Sequence, residues 1–480
     1  RSRSCYYLKR LSKVLRGPVV NFFQVILQAV YPLLSTPIPN PFGNSGAGGG
    51  DAVLKKLDRL LLFDLCGMLV SHLPRNEDAV HYSKLLFAPL HQVMVNGMEG
   101  LLQEFSTRGW ATNSCDPEVA GNYFAEVIQS AGTATKTFPP TLPPEVRIMM
   151  RQALEASIKL FSIFLQHASV RSQVIFFFHR MISCLGNEFI QYLPPILGPI
   201  LENIQADNAS ETIELVNQIL VKYTVHLSPI ITAIVIPVVQ GLNRAMPKVK
   251  PRMDSSTPPT DEQQSQEELQ RNYVVFLMNV VQSKLHPYLW DEKIAPNLMD
   301  IMNALVQASV DVPNAAVGKC SFFVMENLLK LWVPVQGDKI MNTAGVTSLA
   351  TDVSIFSLSQ ENQAAFVNFS VTKMVPKSLE CIIRIGFKEE DASGAYGMYK
   401  ELCEVYICLY KRCGNEFIEF LKNLMVSPPY QYPAALVSPL LENVAGGSIK
   451  ASRSCIVAIV KHHAMLQNQT VNGLGSGRGG

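Results

Sequence analysis

Lys9, Lys13 and Arg16 recur at i, i+4 and i+7 in the stretch SCYYLKRLSKVLRG, with Arg10 beside them. On a helix this spacing lines cations along one side, which can follow a phosphate backbone without reading bases. Lys55 and Arg59 repeat the four-residue step, and Arg147, Arg151 and Lys159 form a third stripe. Arg244 is followed by Lys248, Lys250 and Arg252 in the loop AMPKVKPR. These residues are the candidates for nucleic-acid contact. Each stripe taken singly also reads as a solvated helix face, because charge runs commonly serve solubility.

Other chemistry finds less support. Cys403, Cys408 and Cys413 recur every five residues, which on a helix puts successive thiols about 140° apart around the axis, too far to share one metal. His462 and His463 are adjacent and point to different faces. His179, in FFFHRM, reads as a half-buried helix residue, and no Ser, Cys or Thr sits in an activating context. The string AAVGKC lacks the first glycine of a phosphate-binding loop and ends in Cys where magnesium coordination wants Ser or Thr. The C-terminal GLGSGRGG has neither a strand before it nor a helix after it. No catalytic residue, metal or cofactor is therefore expected, and the chain reads as something other than an enzyme.

The basic stripes have to act locally. The 480 residues carry 41 Lys and Arg against 39 Asp and Glu, a net charge of +2, so no global field draws in a polyanion. With 48% hydrophobic and 17% charged residues, the chain has ample material for a folded core. Ten cysteines scattered singly, with no secretory apolar leader, fit the reduced thiols of cytosol or nucleus. The run LSPIITAIVIPVVQGL at 227–242, interrupted by Pro229 and Pro237, reads as a buried helix too short to span a bilayer, so no membrane insertion is expected. The chain opens at Arg1 inside an expected helix. Natural chains begin with Met, so a preceding segment is expected.

The elements that position these residues are helices almost throughout. Apolar residues recur at spacings of three and four, and strand signals are almost absent. A helix, a short Gly or Pro turn and a second helix repeat along the chain. SQVIFFFHRMISCLG leads to NEFIQYLPPILGPILENI, and ETIELVNQILVKYTVHL leads to SPIITAIVIPVVQGLNRAM. The phrase GNEFIQYL at 186–193 returns as GNEFIEFL at 414–421. It reads as one corner used twice: Gly186 and Gly414 end a helix at positive φ, Asn187 and Asn415 cap the next, and Glu188 and Glu416 occupy its first turn.

Helix pairs with a period of roughly 40 to 47 residues are the mark of HEAT or armadillo arrays. The expected fold is all-α, a HEAT-repeat superhelical solenoid of antiparallel helix pairs covering residues 1–466. Flexible insertions are expected near 35–50 and 247–268, and a disordered Gly-rich tail at 467–480.

Several blocks in order, VIFFFHRMISCL, FIQYLPPIL, LVNQILVKYTVHLSPIITAIVIPVVQGL, RNYVVFLMNVVQSKL and VGKCSFFVMENLLKLW, resemble the central-to-late repeats of the tRNA-carrying export receptors in the importin-β (karyopherin) family. RSRSCYYLKRLSKVL and LLLFDLCGMLV are similar to that family's mid-chain repeats. The resemblance implies a monomeric receptor that wraps tRNA together with the GTP form of Ran and passes nuclear pore proteins. It would shuttle between nucleus and cytoplasm and release cargo when Ran hydrolyses GTP. It further implies that the family's N-terminal repeats, which make much of the Ran contact, come before this chain. No individual residue is carried over from it. The alternative is a HEAT scaffold, or an exportin for protein cargo, that binds no RNA, and the near-neutral charge fits it as well.

Overall fold

The computed structural model describes residues 2–34, 54–73, 75–108, 116–139, 141–246, 258–335, 339–341, 347–349, 358–386 and 392–475. It divides into two compact units, Arg1–Asn203 and Ile204–Gly480.

In the first unit, α1 (Ser2–Val14), α4 (Lys56–Val70), α6 (Pro117–Ala134) and α8 (Ala168–Leu185) stack as one row. The short α2 (Arg16–Val20) and α3 (Phe23–Leu34) also lean on α4, while α5 (Asn76–Arg108), α7 (Pro144–Ile163) and α9 (Leu193–Glu202) form the facing layer. The core lies between the layers, where Phe124, Ile128, Leu160, Phe177 and Phe178 are essentially inaccessible. Each of these side chains recurs at the three- or four-residue spacing that puts one stripe of a helix toward its partner. The facing pairs are antiparallel helix pairs of the HEAT type, as the periodicity predicts.

In the second unit the row is α10 (Ala209–Tyr223), α12 (Asp261–Gln282), α14 (Ala315–Trp332), α17 (Ala392–Cys413) and α20 (Ile449–Gly475). Facing it are α11 (Ile231–Ala245), α13 (Leu298–Asp311) and α16 (Val375–Ile385), with α15 (Gln360–Phe369), α18 (Asn415–Val426) and α19 (Ala434–Ala445) completing the pairs. A small antiparallel ribbon pairs β1 (Lys339–Met341) with β2 (Thr347–Leu349). The core centres on Trp332, fully buried, whose ring meets Trp290 and Phe366 edge-on at 5.4 and 4.8 Å. Its indole N–H donates to Nδ1 of His286 at 3.2 Å, and burial pushes that imidazole down to about 4, so it stays a neutral acceptor.

Two local expectations need correction. The acidic stretch from Asp261 to Glu268, expected as part of a flexible insertion, is the first two turns of α12. Thr260 and Gln263 form a reciprocal capping box there, satisfying two orphan donors at the helix start. Residues 247–257 and 35–53 lie outside the described residues, as do 476–480, and α20 runs on to Gly475.

The second correction concerns the twice-written corner. Gly186 (φ 55°, ψ −129°) and Gly414 (φ 58°, ψ −137°) do adopt the same left-handed geometry. The asparagines do not cap. Asn187 falls inside a 3₁₀ turn, Gly186–Tyr192, and Asn415 is the first residue of α18, with Gly414 itself at the cap and no side-chain bond. Thr224, ending α10, holds φ 40° and ψ −115°, the same corner without glycine. A β-branched residue there carries backbone strain of about 1–3 kcal/mol. Thr224→Gly should therefore raise the urea midpoint of the chain, by a free-energy gain of about 1 kcal/mol. A lowered midpoint would refute the reading of Thr224 as strained.

Candidate nucleic-acid interface

The basic stripes meet different fates when the helices pack. On α1, Lys9 forms an ion pair with Asp64 of α4, Arg10 is exposed with its guanidinium 3.4 Å from the Tyr6 hydroxyl, and Lys13 is exposed. Arg16 opens α2, and its side chain lies outside the described residues. Lys55 is exposed at the N-cap of α4.

Arg59 departs from expectation. Its side chain is only 2% exposed and its Nη1 donates to Glu126 of α6 at 3.1 Å. A guanidinium held inside the α4–α6 contact cannot reach a phosphate, so Arg59 drops out of the candidates and becomes part of the packing. The four-residue step from Lys55 misleads because α4 is apolar nearly all round, and such a helix buries every side.

On α7, Arg147 and Arg151 both reach Glu188, at 2.9 and 3.5 Å. Glu188 is the acid of the repeated corner phrase, so the stripe clips α7 to that corner. Beside it the Tyr192 hydroxyl donates to Glu155 at 2.9 Å, and burial, reinforced by that carboxylate, pushes the phenol up to about 12. Both guanidinium groups stay about a third exposed, and two cations on one carboxylate leave a net positive charge. Lys159 is exposed further along α7. The α7 group belongs to the layer opposite the α1–α4 group, so the two do not form one surface. In the second unit Arg244 is exposed in the last turn of α11, and Lys248, Lys250 and Arg252 lie outside the described residues.

Packing creates cationic positions that local spacing does not reveal. Lys136, just past α6, hangs 5.6 Å from the ring centroid of Phe176 on α8, and Arg453 of α20 lies 5.1 Å over Tyr396 of α17. Arg453 presents a planar fork held by the ring, a geometry suited to phosphate. Lys319 of α14 lies alongside Gly397 on the same row, with Nζ 3.8 Å from where a side chain there would begin. Since each set joins helices far apart in sequence, no window of the sequence contains the signal.

Among the described residues, a carboxylate pair that could suggest acid–base chemistry is structural. Glu326 of α14 is 4% exposed and is bonded to Lys330, which also reaches Glu404 of α17 at 3.6 Å; Lys400 meets Glu404 at 3.2 Å. Burial, aided by a hydrogen bond to Glu404, pushes the Glu326 carboxyl up to about 9. Its inaccessibility rules out contact with a substrate. It does tie stability to pH. The unfolded carboxyl ionises near its ordinary 4.5, so unfolding releases a proton and stability falls as pH rises from about 4.5 towards about 9, by up to about 1.4 kcal/mol per unit. Glu404, shifted down mainly by its bond to Glu326 and by Lys330 against its own desolvation, contributes in the opposite sense, losing stability as pH falls. Glu326→Gln keeps the shape of the neutral acid and should match the parent near about pH 4 but exceed it near about pH 8.5 in urea unfolding. Parallel pH curves would remove the buried neutral acid from the account.

Among the described residues there is no group of three or more His, Cys, Asp and Glu side chains able to hold a metal ion, and no helix is long and apolar enough to cross a membrane. Cys403 and Cys408 are buried on α17, and burial pushes the Cys403 thiol up to about 12.

Comparison with known proteins places this arrangement. The family model described as Exportin-T matches residues 1–463. The chain is 24% identical over 334 residues to Exportin-T of Homo sapiens and 26% identical over 337 residues to Exportin-T of Mus musculus, in each case over 69% of this chain and 33% of the relative. It is 24% identical over 440 residues to Exportin-T of Phaeosphaeria nodorum, covering 88% of this chain and 40% of the relative. The chain thus spans between a third and two-fifths of the length of these curated relatives.

Proposed function

Because this chain belongs to the Exportin-T family, we propose that it forms part of a nuclear export receptor for tRNA. In this reading the receptor binds tRNA cooperatively with GTP-form Ran, passes nuclear pore proteins, shuttles between nucleus and cytoplasm as a monomer, and releases its cargo when Ran hydrolyses GTP. The observation that carries the reading is the family match along almost the whole chain. The GTPase chemistry would belong to Ran, while this chain supplies shape and charge.

Folded RNA exposes phosphates and 2′-hydroxyls far more than base edges, so a receptor of this kind recognises shape and backbone. The exposed groups suited to that task are Arg10, Lys13 and Lys55 on the α1–α4 layer, Lys159 on the opposite layer with the third-exposed Arg147 and Arg151 on the same helix, and Arg244 in the second unit. Lys136, Lys319 and Arg453 join them on the strength of the structure. Cooperativity requires that tRNA and Ran favour the same arrangement of repeats, each then raising the other's affinity by the same factor.

The test is tRNA binding by the natural protein carrying this chain, at two salt concentrations, with and without Ran loaded with a non-hydrolysable GTP analogue. Binding that depends on GTP-form Ran and weakens steeply with salt is expected. Replacing Lys13, Lys159 and Arg244 together by Glu should weaken binding by about tenfold or more and make the salt dependence shallower. Absence of tRNA binding under every condition would favour the alternative, a HEAT scaffold or an exportin for protein cargo.

A further inference from the structure

In the first unit, the row α1–α4–α6–α8 leaves a groove of about 440 Å³ on its surface, within the range of roughly 300–1,000 Å³ usual for small-ligand sites. Its walls come from four helices, with Lys9 of α1 and Asp64 of α4 at one end. Leu60 and Leu61 of α4 form an apolar side. Gln129 and Thr133 of α6 continue along one face to Lys136, and Gln173 and Phe176 of α8 lie opposite.

Three features of this groove are unexplained by packing. First, Oε1 of Gln129 is cut off from solvent and has no hydrogen-bond partner. A buried acceptor left empty costs about 1–3 kcal/mol, and because the Gln129 side chain lines the groove, rotation of its amide toward a ligand N–H there would recover that loss. Second, Lys136 is exposed and has no carboxylate partner among the described residues; its ammonium stands 5.6 Å from the centroid of the Phe176 ring. Arg180 of α8 donates to the carbonyls of Thr135 and Lys136, which fixes the backbone that carries this cation. Third, Phe176 is only half-buried, and its ring rests against Gly132, where a side chain would meet it at 2.6 Å. The glycine keeps the ring low against α6 and leaves the groove open. Lys9, at the far end, is already neutralised by Asp64, so the groove carries one free cation beside one aromatic ring.

A bare anion would use the lysine and ignore the ring and the amide, and an apolar side chain would leave both polar groups empty. A nucleotide uses all three, because its base has a π-face, an N–H edge and a phosphate a few ångströms away. We propose that this groove holds one unstacked nucleotide of a bound RNA. Its base lies against Phe176 and donates to Oε1 of Gln129, and the Lys136 ammonium swings from the ring onto the adjoining phosphate. The proposal rests on the RNA-binding reading above and adds to it a site that discriminates unpaired from paired nucleotides.

The test compares a blunt RNA duplex with the same duplex carrying one bulged nucleotide, bound to the natural protein. The parent should prefer the bulged RNA by about tenfold, as one stacked base contributes about 1–3 kcal/mol. Gln129→Leu should abolish that preference while leaving blunt-duplex affinity unchanged and thermal melting equal to or above the parent's. Lys136→Gln should weaken binding of the bulged RNA more than of the blunt one. Phe176→Leu should behave like Gln129→Leu, provided its melting temperature matches the parent. An equal affinity for both RNAs in the parent, or a preference that survives Gln129→Leu, would overturn the groove while leaving RNA binding intact. Loss of binding to both RNAs in the parent would instead overturn the RNA-binding reading, and this proposal with it.

Discussion

Gly67→Ala should destabilise the first unit by about 3 kcal/mol or more, at the upper end of what overpacking costs. Gly67 lies where α4 crosses α6, and a Cβ built there would stand 1.9 Å from the carbonyl oxygen of Ala134 and 2.7 Å from its carbonyl carbon. The obstacle is helix backbone, which cannot rotate aside as a side chain can. The two helices would have to part by more than an ångström, opening gaps around Leu65, Cys66, Val127 and Ala131, all of them inaccessible. Well-packed interiors resist this because every lost contact forfeits dispersion energy over many atom pairs. Gly198 on α9 is the matched control: nothing lies within 4 Å of a Cβ there, so Gly198→Ala should be neutral or stabilise by up to about 1 kcal/mol through helix propensity. Urea unfolding followed by far-UV circular dichroism would separate the two. If Gly67→Ala unfolds at the parent midpoint, the close crossing of α4 and α6 is not real.

Arg59→Ala should cost about 3–5 kcal/mol, because it strips the partner from Glu126 inside the α4–α6 contact. Arg59→Met alone also leaves Glu126 unpaired, whereas Arg59→Met combined with Glu126→Gln removes both charges and should cost much less. The guanidinium itself is imperfectly satisfied, with Nε and Nη2 buried and without hydrogen-bond partners, so replacing the pair trades away a desolvation penalty. The comparison also decides function. If Arg59 is packing alone, the double variant, when it melts like the parent, should bind tRNA with unchanged affinity and salt dependence. Weakened binding by a stably folded double variant would return Arg59 to the nucleic-acid surface.

Other expectations divide in the same way. The repeated GNEFI phrase is legible as a corner because a helix that must reverse within a few residues requires a left-handed position, and glycine supplies it at least cost. Reading its asparagines as caps fails because the chain tightens into a 3₁₀ turn at one copy and starts the helix one residue early at the other. The acidic first turns of α12 are hidden by their polarity, although Thr260 and Gln263 stand at the spacing of a capping box, a signal present in the sequence.

The sequence alone determined the all-α class, the antiparallel pairing and the glycine corners. Those follow from a period of 3.6 residues and from φ preferences, which act within a few positions of each other. Only the tertiary structure decided which cations remain available. A charge becomes free, paired or buried according to the helix packed beside it: Arg59 was claimed by Glu126, Arg147 and Arg151 share Glu188, and Lys136 found Phe176. These partners lie tens of residues apart along the chain, and electrostatic pairing depends on distance in space, which local spacing does not encode.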